Sequence, residues 1–160
     1  MKIGVIQGAF FPVPPLRGGA VEKLWHRLAM EFARNGHEVT HVSRLCDGLP
    51  ATNEEAGVMH RRVSGYDQPA NGLRLKLRDL QYSLRAVRAL PKETDIVVTN
   101  TFWSPLLMRK HRGVYVSVER MPKGQMRLYN KAARLRGCSS AVKDAILREC
   151  PSAAPRVVVV

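Results

Sequence analysis

Lys2-Ile3-Gly4-Val5-Ile6, the loop Gln7-Gly8-Ala9-Phe10-Phe11-Pro12-Val13-Pro14-Pro15-Leu16-Arg17-Gly18-Gly19, the segment Ala20 to Asn35, and His37-Glu38-Val39-Thr40-His41-Val42-Ser43 follow one another without a break. The first piece is short and apolar, the signature of a buried strand. In the third, Val21, Leu24, Trp25, Leu28, Ala29 and Phe32 recur at the i, i+3, i+4, i+7 spacing of an amphipathic helix. Asn35-Gly36 supplies a left-handed stop at its carboxyl end. The fourth piece is short and β-branched and reads as a second strand. Strand, helix and strand at this spacing make a βαβ unit with parallel strands and a right-handed crossover. The glycine-bearing loop then leads to the amino end of a helix, where unpaired N–H groups and the positive dipole end favour an anion. A turn whose glycines only supply unusual dihedrals is the plainer alternative for Gly18-Gly19.

The remaining chain continues the alternation. Residues 44–57 read as loop, and Val58 to Val63 as a third strand whose polar residues suit a wet sheet edge. Leu73 to Leu90 is expected to be a long helix with Leu73, Leu77, Leu80, Leu84 and Val87 along one side, stopped by Pro91. Asp95 to Asn100 and Gly113 to Val118 read as strands, with a short helix over Pro105 to Lys110 between them. Gly124 to Leu135 reads as a helix, Arg136 to Ser140 as a strand-to-helix passage, and Ala141 to Cys150 as a helix capped by Ser139 or Ser140. Arg156 to Val160 is a last strand. The pattern argues an α/β, doubly wound, mostly parallel sheet with a crevice at the carboxyl ends of its strands.

Composition narrows the classes. An apolar share of 45% over 160 residues is enough for one well-packed domain. No apolar run approaches the ~18 residues of a membrane span, and Met1 to Gln7 lacks the organisation of a signal peptide. Cys46, Cys138 and Cys150 are odd in number and scattered, so a reducing, cytoplasmic setting is expected. The formal net charge of +13 predicts attraction to phosphates of some kind. His26, His37, His41, His60 and His111 show no metal spacing with any cysteine or carboxylate, and no metal is expected. His26 reads as a surface residue, and His41 as a core or surface histidine.

Several stretches together resemble the amino-terminal half of a glycosyltransferase family 4 enzyme, the retaining, nucleotide-sugar-dependent type with two Rossmann-like domains (GT-B). They are Met1 to Ile6 followed by Arg17-Gly18-Gly19-Ala20-Val21-Glu22; Leu28-Ala29-Met30-Glu31-Phe32-Ala33-Arg34-Asn35-Gly36-His37-Glu38-Val39-Thr40; Pro122-Lys123-Gly124-Gln125; and Ser139-Ser140-Ala141-Val142. The resemblance covers essentially the whole chain in order. It implies that residues 1–160 are the acceptor-side Rossmann-like domain, and that the donor-binding domain lies outside this chain. Alone, the domain is then expected to be inactive and to bind free nucleotide sugar weakly or not at all. It further implies transfer of a sugar from a nucleotide-diphosphate sugar to a lipid-linked or polysaccharide acceptor, with no cofactor beyond that donor substrate. By the same resemblance Arg17, Gly18 and Gly19 approach the donor diphosphate. Family members often carry a histidine at the end of the fifth strand, against the transferred sugar. Here that place is held by Glu119, the candidate catalytic residue.

Asn100, Trp103, Arg120 and Lys123 are the candidate acceptor and sugar contacts, because an aromatic face stacks on a sugar ring while amides and cations bond its oxygens. Burial of Phe102 and Trp103 at the start of a helix is the alternative for the aromatic pair, as packing of the loop is for Phe10 and Phe11. Arg74, Arg78, Arg85 and Arg88 form a basic stripe that is either a solvated face or a docking surface for an anionic membrane, peripheral to the inner face of the plasma membrane. Nucleic acid is not expected as a partner, since no recognition helix or RNA-binding signature is present. A dinucleotide-binding module is disfavoured: G-x-G-x-x-G is missing after the first strand, and Ser43-Arg44 stands where an acidic residue is needed. The competing class to the enzyme is a non-enzymatic basic α/β binding module.

Overall fold

The structure, a computed structural model, describes residues 1–16, 18–108, 110–111 and 113–160. Eight strands form one sheet: β1 (Lys2–Ile6), β2 (Glu38–Leu45), β3 (Thr52–Glu55), β4 (Val58–Ser64), β5 (Ile96–Thr99), β6 (Val114–Val118), β7 (Arg134–Gly137) and β8 (Val157–Val159). Among the described residues, four α-helices accompany them: α1 (Ala20–Arg34), α2 (Gly72–Ala89), α3 (Ser104–Leu107) and α4 (Ser140–Glu149). The strand order is β3-β4-β2-β1-β5-β6-β7-β8, and every pairing is parallel except β3 with β4. This is the expected Rossmann-like, mostly parallel α/β fold. Connections run outward from β1 in both directions, so the topological switch point lies between β1 and β5.

Side-chain alternation along the strands sorts the helices to two faces. Ile3, Val5, Val39, Val58 and Val98 face α1 through Trp25 and Ala29. Ile6, Val42 and Val97 face α2 through Tyr82 and Ala86. Val97 pairs with Val114, so the cluster of Val114, Val116, Val118, Leu135 and Val157 with Val142 and Ile146 of α4 lies on the α2 face. The α1 face of β6 and β7 is therefore left to Tyr115, Ser117, Arg134 and Arg136.

Four expectations change. Val58 to Ser64 is not an edge strand: residues 52–55, read as loop, fold back as β3 and pair antiparallel with it. Its polar residues His60 and Arg62 are buried rather than wet. Residues 124–135 are not one helix; a single 3-10 turn, Met126–Tyr129, precedes β7. The leucine side of α2 faces inward only in part. Tyr82, Ser83 and Ala86 are buried, whereas Leu73 and Leu77 stand 69% and 55% exposed. Leu80, Leu84 and Val87 of the same stripe are half-buried, Val87 against the cluster of Tyr82 and Ala86, so the expected stripe turns inward only along its later part. Asn71 caps it, accepting from the N–H groups of Leu73 (2.9 Å) and Arg74 (3.2 Å). Gly36 does take the left-handed conformation (φ 80°) after α1, and Ser139 caps α4.

Candidate active site at the carboxyl ends of the strands

At the switch point, β1 runs into Gln7 and β5 into Asn100. Asn100 Nδ2 donates to Gln7 Oε1 (3.3 Å), and Gln7 is itself fixed by Tyr82, whose hydroxyl donates to the Gln7 carbonyl (2.9 Å). Asn100 Oδ1 is buried and has no partner. An orphaned acceptor in this position is able to take a hydroxyl or N–H from a bound molecule or a water. Beside it, Thr101 Oγ1 lies 3.0 Å from Thr99 Oγ1 and donates to Ser104 Oγ (2.6 Å), a buried hydroxyl chain that sets the turn from β5 into α3.

The α1 amino terminus is built on Gly18 and Gly19, each at φ 90°. A Cβ on Gly18 would meet open space, whereas one on Gly19 would collide with the Glu22 carboxylate. Glu22 is buried against its own helix start, in the position where a phosphate was expected. Burial pushes its carboxyl upward, while its own backbone N–H and the Arg120 charge partly hold it down. The helix start expected to take an anion is thus occupied by an internal carboxylate. Arg17, the third member of the expected donor set, lies outside the described residues.

Across from α1, Glu119 follows β6 and is held by three donors on one oxygen. Ser117 Oγ donates to Glu119 Oε1 at 2.5 Å, Arg136 Nη1 at 3.1 Å and Trp25 Nε1 at 3.4 Å. Arg136 also donates to Ser117 Oγ (3.0 Å) and lies over the Trp25 ring, 5.8 Å from its centroid. With Glu22 and Arg120 nearby, this wall carries two carboxylates and two guanidiniums. Glu119 is thus a paired, oriented carboxylate with Oε2 left outside these bonds.

The other expected contacts divide. Arg120 is exposed beside this wall and acts electrostatically on Glu22. Lys123 is exposed on a loop pinned by Glu149, which accepts from the N–H groups of Gly124 (2.6 Å) and Met126 (3.1 Å). Trp103 turns the other way: its Nε1 donates to the Lys76 carbonyl of α2 (3.1 Å), and its ring meets Phe102 edge-on at 5.0 Å. Trp103 therefore joins the α2 face while Glu119 joins the α1 face, and the structure does not bring the two together. Phe10 packs edge-on against Tyr66 at 5.5 Å, and Phe11 stays exposed. Arg74, Arg78, Arg85 and Arg88 are all exposed on α2.

Sequence reasoning overlooked Gln7, Trp25 and Arg136. Arg136 was legible in principle: strand alternation through Arg134-Leu135-Arg136 sets Leu135 inward and both arginines on the opposite face. Nothing local marks Gln7 or Trp25, because their partners are about ninety residues away. Among the described residues, no group of three or more histidine, cysteine, aspartate or glutamate side chains is placed to hold a metal ion, and no helix is long and apolar enough to cross a membrane.

No protein-family model matches this chain, and no curated protein matches it. Among solved structures, it is similar to a sucrose-phosphate synthase from Thermosynechococcus elongatus, with a TM-score of 0.73 at 15% identity. The match covers 99% of this chain and 47% of that one, so this chain spans about half the length of its structural relative. The likeness is one of fold: a Rossmann-like, mostly parallel α/β sheet shared with a GT-B glycosyltransferase.

Proposed function

We propose that this chain is the acceptor-side domain of a sugar transferase of the GT-B, family 4-like type. The transferase moves a sugar from a nucleotide-diphosphate donor to a hydroxyl of a lipid-linked or polysaccharide acceptor, with retention. The observation that carries the reading is the set of polar groups at the carboxyl ends of the strands flanking the switch point, in a fold that a glycosyltransferase shares over nearly the whole of this chain. Its polar groups have the chemistry for the task. Asn100 Oδ1, unpartnered, suits a sugar hydroxyl. Arg120 and Lys123 offer cations to an acceptor or to a departing diphosphate. In the transfer, the bond from the anomeric carbon to the diphosphate oxygen breaks, a bond to the acceptor oxygen forms, and the acceptor proton passes to the leaving phosphate. Glu119, fixed by Ser117, Arg136 and Trp25, would stabilise positive charge at the anomeric centre or bond the sugar.

The test is expression of the longest reading frame that contains these residues. Release of nucleoside diphosphate is then followed across a panel of nucleotide sugars, with and without a polyprenyl-linked saccharide. Release that depends on the acceptor supports the reading. No turnover of any donor by a folded protein removes it.

α2 supports a second part of the proposal. Its outward side sets Leu73 and Leu77 beside Arg74, Arg78 and Lys76, and Arg85 and Arg88 continue the basic stripe. Cations flanking exposed leucines fit an anionic bilayer surface, each basic residue contributing about 1 kcal/mol near it. Flotation with vesicles rich in an anionic lipid, compared with neutral vesicles, decides this. Equal partitioning on both removes the docking surface.

A further inference from the structure

On the α1 face, among β2, β4 and α1, the chain buries an unusual amount of unpaired polarity. His41 of β2 and His60 of β4 are direct register partners with stacked rings 5.7 Å apart. His26 of α1 lies over them, 5.7 Å from His60. Both ring nitrogens of His41 and of His60 are buried without a partner, as are Nδ1 of His26, Oγ of Ser43 and Nη2 of Arg62. Three imidazoles thus face one another with no carboxylate among their hydrogen-bond partners. The expected surface position of His26 is corrected here: its Nδ1 is sealed beneath the helix.

Such a cluster is stable only while its imidazoles are neutral, since charging any of them sets a cation beside Arg62 in a site with little water. We propose that His26, His41 and His60 form a proton-sensitive latch, which at neutral pH holds α1 and the loop before it on the sheet and which opens when the imidazoles charge. The latch is mechanically placed for this. Arg62, on the same face, donates from Nε to the carbonyl of Val13 (2.9 Å), which ties the loop before α1 to β4, and from Nη1 to that of Pro50 (2.8 Å) in the loop before β3. His26 directly follows Trp25, which bonds Glu119. Loosening α1 therefore withdraws Trp25 from the Glu119 carboxylate.

Among the described residues, the charged groups around the cluster are few. Glu55 of β3 favours a charged His26, whereas Arg62 of β4 opposes charging of all three histidines. Glu22, one turn earlier on α1, lies against Gly19 and is influenced by Arg120 and Glu119 rather than by the histidines. β1 presents the uncharged Ile3 and Val5 to α1. Desolvation is the largest influence on each imidazole, lowering His26, holding His41 well below the ordinary range and bringing His60 to about 4. Once exposed, the same imidazoles bind protons at the ordinary value of about 6.5. Protons therefore favour the open form as pH falls from about 6.5 toward 4, and the latch is closed above that window.

Amide hydrogen exchange on this chain at pH 7, 6 and 5 tests the proposal, with α4 as internal reference for the intrinsic pH effect. The expected result is that opening of α1 relative to α4 rises about tenfold per pH unit for each histidine that must charge. In His41→Leu/His60→Leu the rise is expected to vanish. A constant ratio of α1 to α4 exchange overturns the latch. Should the double variant not fold, ring C–H NMR of the unaltered chain decides. Imidazoles neutral to about pH 5, together with α1 opening below it, support the latch, and titration near 6.5 within a fully native spectrum overturns it.

Discussion

Arg136 and Glu119, seventeen residues apart in sequence, pair at 3.1 Å across neighbouring parallel strands, with their side chains 17% and 13% exposed. Ser117 and Trp25 complete the shell around the same carboxylate oxygen. Breaking such a pair leaves an uncompensated charge, and that desolvation cost outweighs the lost attraction. Arg136→Met is therefore expected to destabilise the fold by about 3 kcal/mol, near the lower end for a buried pair because some water reaches it. Urea denaturation measures this. Glu119→Gln in the same chain should restore a large part of the loss, and equal instability of the single and double variants would sink the pairing argument.

Gly18 and Gly19 share one backbone conformation but not one environment. Gly18→Ala meets only the positive φ, at a cost of about 1–2 kcal/mol. Gly19→Ala adds collision with Glu22, so its loss in thermal stability should be clearly the larger. Removing the collision with Gly19→Ala/Glu22→Ala should bring it back to the level of Gly18→Ala, as thermal melts of the four proteins will show.

Glu22 also competes with any external anion for the α1 amino terminus. Glu22→Gln removes the internal charge and should raise affinity for pyrophosphate or a nucleoside diphosphate, measured by calorimetry. Its carboxyl is pushed up by burial, so folding favours the protonated form. That contribution is full below the unfolded value of about 4.3 and is lost as pH rises through the raised folded value. The variant should thus gain stability relative to the parent at pH 7 and lose that advantage near pH 4.

Asp79 titrates in the opposite sense to the histidine cluster. Partial burial on α2 raises its carboxyl to about 6, partly offset by a hydrogen bond with Tyr66. Its folded state favours the protonated form, so stability is lost as pH rises from about 4 to about 6. Asp79→Asn is expected to stabilise the chain by about 2–3 kcal/mol at pH 7.5 and by nearly nothing at pH 4. Urea midpoints at the two pH values test it; an unchanged difference would remove the burial argument.

Leu73 and Leu77 separate docking from simple solvation of α2. Leu73→Ser/Leu77→Ser touches exposed side chains, so folding stability should move by less than about 0.5 kcal/mol. Binding to anionic vesicles should nonetheless fall severalfold, and reversing Arg74, Arg78, Arg85 and Arg88 to glutamate should abolish it. Undiminished flotation of both variants would leave α2 a solvated face.

Much of this molecule was legible from one end of the chain to the other. Strand β1, helix α1, strand β2, the stop at Gly36, the cap at Ser139 and the mostly parallel order follow from periodicity, turn residues and the chirality of βαβ units, all local or nearly so. What stayed hidden depends on partners far apart in sequence. Thr52–Glu55 becomes a strand only because β4 is there to pair with it. Tyr82 and Ala86, rather than Leu73 and Leu77, face the sheet because the outward route of α2 sets its rotation. His26, His41 and His60 meet, and Glu119 finds Arg136 and Trp25, only through cross-strand register and helix packing. A sequence determines which face of a strand a residue occupies; the tertiary structure decides who stands opposite, and so whether a buried charge or imidazole is paired, orphaned or poised to respond.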